Sequence, residues 1–102
     1  MKWFTDAEVE GLDPELVRRL DTARGFAKVP MEITSGYREG DDKSHGRGLA
    51  VDLRCSTSYR RMRIVSGALV AGFRRIGVYD RHVHLDVDEK LPQDVMWTGV
   101  SK

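Results

Sequence analysis

The chain has 102 residues, of which 40% are hydrophobic and 32% charged, the balance of a globular domain rather than of a disordered or fibrous chain. No apolar run reaches the about 18 residues of a membrane span, and acidic side chains from Asp6 onward argue against a signal peptide. The only cysteine, Cys55, excludes an internal disulfide and a cysteine cage for a metal, and it is typical of a small buried side chain. We therefore expect one soluble domain over residues 1–102, synthesised in the cytoplasm.

The formal net charge is +1, but the charges are distributed unevenly along the chain. Residues 54–81 contain seven arginines and one acidic residue. Such a run indicates either the solvated face of a helix or a surface for a polyanion, such as nucleic acid or an anionic cell wall. Because no helix-turn-helix, zinc-finger or aromatic RNA-binding signature accompanies the run, we expect no specific nucleic-acid partner.

The first third of the chain contains two helix-start signals. Thr5 and Glu8 have the spacing of a capping box, which predicts a short helical turn. Asp13 and Pro14 have the residue types of an N-cap and a first helical position. Apolar residues at helical spacing follow, and they predict a helix that ends near Gly25.

Two strands with a loop between them are predicted next. Residues 31–35 alternate in polarity and are followed by a glycine, which predicts a strand that ends there. Residues 36–48 contain four glycines and form the loop. Residues 49–54 alternate again, which predicts a half-buried strand.

The second half of the chain predicts a helix and two further strands. The helix begins at about Ser58, faces the core with Met62, Val65 and Leu69, and stops at Gly72. Strands are predicted over residues 75–79 and 81–87, and the tail to Lys102 is expected to be irregular, with Trp97 packed back onto the domain. The predicted fold class is α+β, a small antiparallel sheet with helices packed to one side.

All three histidines of the chain lie in two short segments. In the second segment, the predicted strand over residues 81–87, Val83 and Leu85 point to the core. The polar face of this strand and of the turn before it then carries Asp80, His82, His84 and Asp86.

The preceding strand places Asp52 on its own polar face by the same alternation. If the two strands pair, Asp52 lies near His84, and His45 can fold over both because Gly46 and Gly48 permit a tight approach of the loop. Two imidazoles and one carboxylate leave a fourth position for water, the arrangement of a catalytic zinc site. The alternative is three surface histidines beside ordinary sheet carboxylates, but clustering on one polar face favours a metal site.

Two motifs resemble those of a known family. They are His45-x-x-Gly48-x-Ala50-x-Asp52 and His82-x-His84. The chain resembles the zinc D-alanyl-D-alanine carboxypeptidases and related peptidoglycan peptidases of the M15 type, which share their fold with lysostaphin-type enzymes and the hedgehog signalling domain. Residues 4–8, 33–38 and 73–79 extend the similarity over nearly the whole chain.

The resemblance implies that His45, Asp52 and His84 bind one zinc ion per chain. It also implies that Arg38 binds the substrate near the scissile carbonyl or a carboxylate, a role suited to a planar, permanently charged guanidinium. The alternative for Arg38 is an ion pair with a neighbouring acidic residue. We also assign Tyr37 and Ser44 to substrate binding. Tyr37 and Trp97 could line the cleft, although aromatics of this kind are also typical of a core.

The general base is left open between two residues. Many members of the family have an acidic residue three positions before the last metal ligand, and this chain has Arg81 there. Asp80 could reach the site through a β-bulge, and His82 occupies the position of a second active-site histidine in several relatives. Asp86 is expected either to orient a ligand histidine or to pair with an arginine.

The resemblance implies a hedgehog/DD-peptidase-like fold and a monomeric zinc peptidase. Its substrate is a peptidoglycan stem peptide, cut at the D-Ala-D-Ala bond or at the L-Ala-D-Glu bond. A small domain of this kind resembles a phage or prophage lysis enzyme that acts on the cell wall after release from the host cytoplasm. Two other functions are considered: a non-enzymatic zinc-binding module of the same fold, and an arginine-rich nucleic-acid binder.

Overall fold

Residues 2–101 are described by the structure, a computed structural model. Within these residues the chain forms two α-helices, five β-strands and one 3-10 turn. In chain order they are α1 (Pro14–Ala27), β1 (Ile33–Ser35), the 3-10 turn (Ser44–Arg47), β2 (Ala50–Arg54), α2 (Ser58–Val70), β3 (Arg75–Tyr79), β4 (His82–Asp86) and β5 (Val95–Gly99).

Both predicted helix-start signals are confirmed. The backbone N–H of Thr5 donates to the Glu8 carboxylate over 2.9 Å, and the N–H of Glu8 donates to the Thr5 hydroxyl over 3.2 Å. The Asp13 carboxylate accepts from the N–H of Glu15 over 2.8 Å at the start of α1. Helix α1 then continues past Gly25 and ends at a left-handed cap on Lys28.

Helix α2 presents a different face to the core from the one predicted. Met62 and Leu69 were expected to point inward, but they are 67% and 57% exposed. Val65, the third residue expected to face inward, is partly buried against the core. The buried face of α2 is centred on Ile64, Gly67 and Ala68. Gly67 lies against α1 so closely that a Cβ there would come within 2.5 Å of a backbone carbonyl oxygen of α1. The close contact between the helices therefore selects the small residues, and the larger apolar residues turn outward.

The sheet is mixed, not antiparallel as predicted. Its strand order is β1-β2-β4-β3-β5, and β5 runs parallel to β3 while the other neighbours are antiparallel. The tail expected to be irregular thus supplies a strand over Val95–Gly99, although Lys102 itself lies outside the described residues. All four predicted strands are present as β1 to β4, with ends within two residues of the predicted ones.

One face of the sheet packs against both helices. Val51, Leu53, Val83 and Leu85 pair across β2 and β4, and they are buried in the same cluster as the inner residues of α1 and α2. Because side chains alternate along a strand, the polar residues between them project from the opposite face. Neither helix within residues 2–101 combines the length and apolar character needed to cross a membrane.

Candidate metal centre

A row of paired residues crosses the open face of the sheet. Asp52 of β2 pairs with His84 of β4, and His84 pairs in turn with Gly77 of β3. Ser35 of β1 pairs with Asp52 at one end of the row, and Trp97 of β5 pairs with Gly77 at the other. The register therefore brings Asp52 beside His84, as strand alternation predicted.

His45 reaches this row from the 3-10 turn and is buried. Two glycines shape the loop around it. A Cβ on Gly46 would lie 1.5 Å from the carbonyl oxygen of Asp41, and Gly48 adopts a φ of +70° where a Cβ would lie 2.2 Å from a carbonyl oxygen. The Nδ1 atom of His45 lies 2.8 Å from the carbonyl oxygen of Gly36. Because a carbonyl can only accept, Nδ1 carries the proton and Nε2 is free to act as a ligand.

The three side chains form a compact group of potential ligands. Nδ1 of His84 is 3.0 Å from one carboxylate oxygen of Asp52, and Nε2 of His45 is 3.6 Å from the other. One donor atom from each residue lies within 4.8 Å of the others, so the group can hold a metal ion. Two imidazoles with one carboxylate fit zinc by donor type and leave a fourth position open.

Asp52 and His84 each shift the pKa of the other. Burial raises the pKa of Asp52, but its contacts with His45 and His84 outweigh burial and hold that pKa well below its usual range. Burial lowers the pKa of the His84 imidazole, but hydrogen bonds with Asp52 and Asp86 raise it to about 9. In the absence of a metal, a cationic His84 therefore lies between two carboxylates at neutral pH.

Asp86 contacts both a histidine of the group and an arginine. One of its carboxylate oxygens lies 2.8 Å from Nε2 of His84, and the other accepts from Nε of Arg75 over 2.8 Å. The carboxylate is therefore shared between a histidine of the group and an arginine. Because Asp86 is buried and bonded to both partners, it lies behind His84 and is not open to solvent.

The two candidate bases lie outside the group of three. Asp80 is at the turn between β3 and β4, where its carboxylate accepts from the N–H of Ser101 over 2.6 Å. The pairing of β3 with β4 has no register shift, so the bulge that would carry Asp80 toward the group is absent. His82 projects from the same face as His84, its ring is stacked on Tyr79 at 4.2 Å, and its Nδ1 lies 2.8 Å from the Ser101 hydroxyl.

The three residues assigned to substrate binding have different surroundings. Arg38 has a half-exposed side chain, 3.7 Å from the carboxylate of Asp41, and its backbone N–H donates to the carbonyl of His45. Tyr37 is exposed and lies over Gly11. Ser44 is buried, and its hydroxyl donates to Asp88 over 2.7 Å. Arg38 and Tyr37 thus flank the loop that carries His45, whereas Ser44 points into the interior.

Sequence reasoning named Trp97 as a residue that could line the cleft, but it did not place Tyr79 beside the site. The Trp97 ring lies 5.5 Å from the ring of His84, and its N–H donates to the Tyr79 hydroxyl over 3.0 Å. The available signal was Gly77, a glycine inside a predicted strand, which often marks the close approach of another group. A Cβ on Gly77 would lie 2.6 Å from the Trp97 indole.

The arginine run is largely used for internal contacts. Five of its seven guanidinium groups bond backbone carbonyls or carboxylates of this chain. They belong to Arg54, Arg61, Arg63, Arg74 and Arg75. Such contacts favour a structural role for the run over a continuous surface for nucleic acid.

Comparisons with protein-family models, with curated proteins and with solved structures found no match to this chain. The functional assignment therefore depends on the geometry described above and on the motifs that the chain carries.

Proposed function

We propose that this protein is a zinc-dependent peptidase of the M15 type, with a hedgehog/DD-peptidase-like fold, that hydrolyses peptidoglycan stem peptides. The observation that carries the proposal is the group formed by His45, Asp52 and His84 on the open face of the sheet. The motif resemblance supplies the substrate class. The same proposal includes a monomer that acts on the cell wall in phage-type lysis and cuts either the D-Ala-D-Ala or the L-Ala-D-Glu bond.

The three grouped residues would hold the metal through Nε2 of His45, a carboxylate oxygen of Asp52 and Nδ1 of His84. When bound, zinc supplies Lewis-acid chemistry, which polarises a carbonyl and lowers the pKa of water. The partial exposure of Asp52 supports access of a substrate from the open face. The burial of His45 and the partial burial of His84 support a rigid ligand set.

His82 is the general base in this proposal. Its ring projects from the same face of β4 as His84, two residues away, whereas the Asp80 carboxylate is held at the turn by Ser101. The histidine would accept a proton from water and return it to the leaving amine. Arg38 would pair with a substrate carboxylate, because its guanidinium is half-exposed and its contact with Asp41 is long, at 3.7 Å.

The test is incubation of a purified stem pentapeptide with the protein, with and without a zinc chelator, followed by mass spectrometry. Chelator-sensitive loss of one D-Ala identifies a carboxypeptidase, and a cut after L-Ala identifies an endopeptidase. His82→Gln should retain zinc and lose about 100-fold or more in hydrolysis, whereas His84→Gln should lose zinc itself. An intact peptide in the presence of bound zinc contradicts the peptidase.

The second candidate function is a zinc-binding recognition module without hydrolytic activity. Two observations favour it: the Asp80 carboxylate is engaged by Ser101, and the position three residues before His84 is occupied by an exposed arginine, Arg81. Bound zinc with no hydrolysis of either bond, in wild type and in His82→Gln alike, would identify the module.

A further inference from the structure

A buried carboxylate lies directly behind His84, on the side away from Asp52. The Asp86 side chain is almost fully buried, with 1% of its surface exposed. One oxygen lies 2.8 Å from Nε2 of His84, and the other accepts from Nε of Arg75 over 2.8 Å. The N–H of Asp88 also donates to Asp86, over 3.1 Å. Together these three contacts hold the carboxylate in a single orientation.

Arg75 is itself fixed on two further sides. Its Nη1 donates to the carbonyl oxygen of Pro92 over 2.6 Å, and its guanidinium lies 5.0 Å from the ring centroid of Trp97. Pro92 belongs to the segment between β4 and β5, and Trp97 belongs to β5. The arginine therefore connects the last strand of the sheet to the carboxylate behind His84.

We propose that Asp86 and Arg75 are positioning residues that fix the tautomer and the ring orientation of His84, with Nδ1 directed toward Asp52. This inference rests on the proposed metal site. A carboxylate that accepts from Nε2–H keeps the proton on that nitrogen, so that the lone pair of Nδ1 is left for a metal. Arg75 keeps the carboxylate aligned in turn, through the bond from its Nε to the second oxygen.

The two histidines of the group are supported in different ways. His45 donates from Nδ1 to a neutral backbone carbonyl, that of Gly36. His84 donates from Nε2 to an anionic side chain, which raises the basicity of the ligand nitrogen. The support of His84 can therefore be removed by substitution of one side chain, and its effect on metal affinity can be measured.

Asp88 provides a matched control, because it is also a buried carboxylate with an arginine partner. It accepts from Ser44 over 2.7 Å and contacts Arg47. These are the two ends of the turn that carries His45, so Asp88 acts on the group through the backbone and not through His84. Asp86→Asn and Asp88→Asn therefore remove equivalent buried charges two residues apart. Only the first substitution changes the contact with His84.

The experiment is competition for zinc between the protein and a chromophoric chelator, in wild type and in the two variants. We expect Asp86→Asn to lower zinc affinity by about 10- to 100-fold. Asp88→Asn acts only through the turn that carries His45, so it should lower the affinity by less, although both variants unfold at lower denaturant. Arg75→Lys should give a smaller loss of affinity than Asp86→Asn. Unchanged affinity in Asp86→Asn, or equal losses in both asparagine variants, would overturn the inference.

A second measurement on the wild-type protein does not depend on a variant that folds. Imidazole ¹⁵N spectra of the zinc-loaded protein should show His84 protonated at Nε2 and His45 protonated at Nδ1. A His84 ring protonated at Nδ1 would overturn the inference. If wild type binds no zinc, the metal site and this inference both fail, whereas zinc binding with the expected tautomers but without hydrolysis contradicts only the peptidase.

Discussion

The indole ring of Trp97 lies across Gly77, in the space where a Cβ on that glycine would come within 2.6 Å of the indole nitrogen. The two residues pair between β5 and β3, and Gly77 also pairs with His84. The absence of a side chain at one position thus lets β5 join the sheet and brings an aromatic ring beside the candidate metal centre.

Substitution Gly77→Ala tests this contact. The added methyl group must displace the indole, so we expect a loss of about 1–3 kcal/mol in the free energy of unfolding, as for overpacked sites. Gly36→Ala is the steric control, because a Cβ there meets only ordinary contacts at 3.7 Å. Urea unfolding of both variants gives the comparison, and equal stability of Gly77→Ala and wild type would contradict the close packing.

The metal-free protein should lose stability as pH rises from neutral to alkaline. Burial lowers the pKa of His84, but Asp52 and Asp86 raise it to about 9 in the folded state from 6.5. The folded state therefore binds more protons than the unfolded state between these values. The resulting stabilisation is fully present below pH 6.5 and is lost as pH rises through about 9.

Denaturant unfolding across this pH range, with a chelator present, measures the effect. At about 1.4 kcal/mol for each pKa unit, the full loss is on the order of 3 kcal/mol. His84→Gln should abolish the dependence, and His82→Gln should retain it. Stability that is constant or increases between pH 6.5 and 9 would show that His84 is not held as a cation.

The contact between the helices makes a specific prediction for Gly67. In an exposed helix interior, Gly→Ala is stabilising by about 1 kcal/mol. Here the Cβ would lie 2.5 Å from the carbonyl oxygen of Ala23, a backbone atom that cannot move without moving α1. We therefore expect Gly67→Ala to destabilise by about 1–3 kcal/mol. Ser66→Ala, one residue away on the same helix, is the control. An increase in stability for Gly67→Ala would show that α1 and α2 are further apart than this distance indicates.

Local sequence patterns predicted the features that depend on a few neighbouring residues. The capping box at Thr5 and Glu8 and the N-cap at Asp13 involve contacts within three residues. The polar faces of β2 and β4 follow from alternation along a strand, so Asp52 and His84 could be placed on one face before their register was known. The candidate ligand set is therefore largely a property of the sequence.

The tertiary structure decided which groups meet across longer distances. The strand β5 was missed because its side chains are mostly exposed and show no alternating apolar pattern. The inner face of α2 was missed because the helix has apolar residues on more than one side, and only its contact with α1 selects the small ones.

By itself, the sequence determined the strand faces, the helix starts and the residue types available for a metal. Only the tertiary structure decided that Asp86 of β4 pairs with Arg75 of β3 and that Ser44 turns inward to Asp88. The physical reason is that strand alternation and capping depend on backbone geometry over a few residues. The partners of a buried carboxylate depend instead on how distant segments fold against each other, and no local pattern encodes that choice.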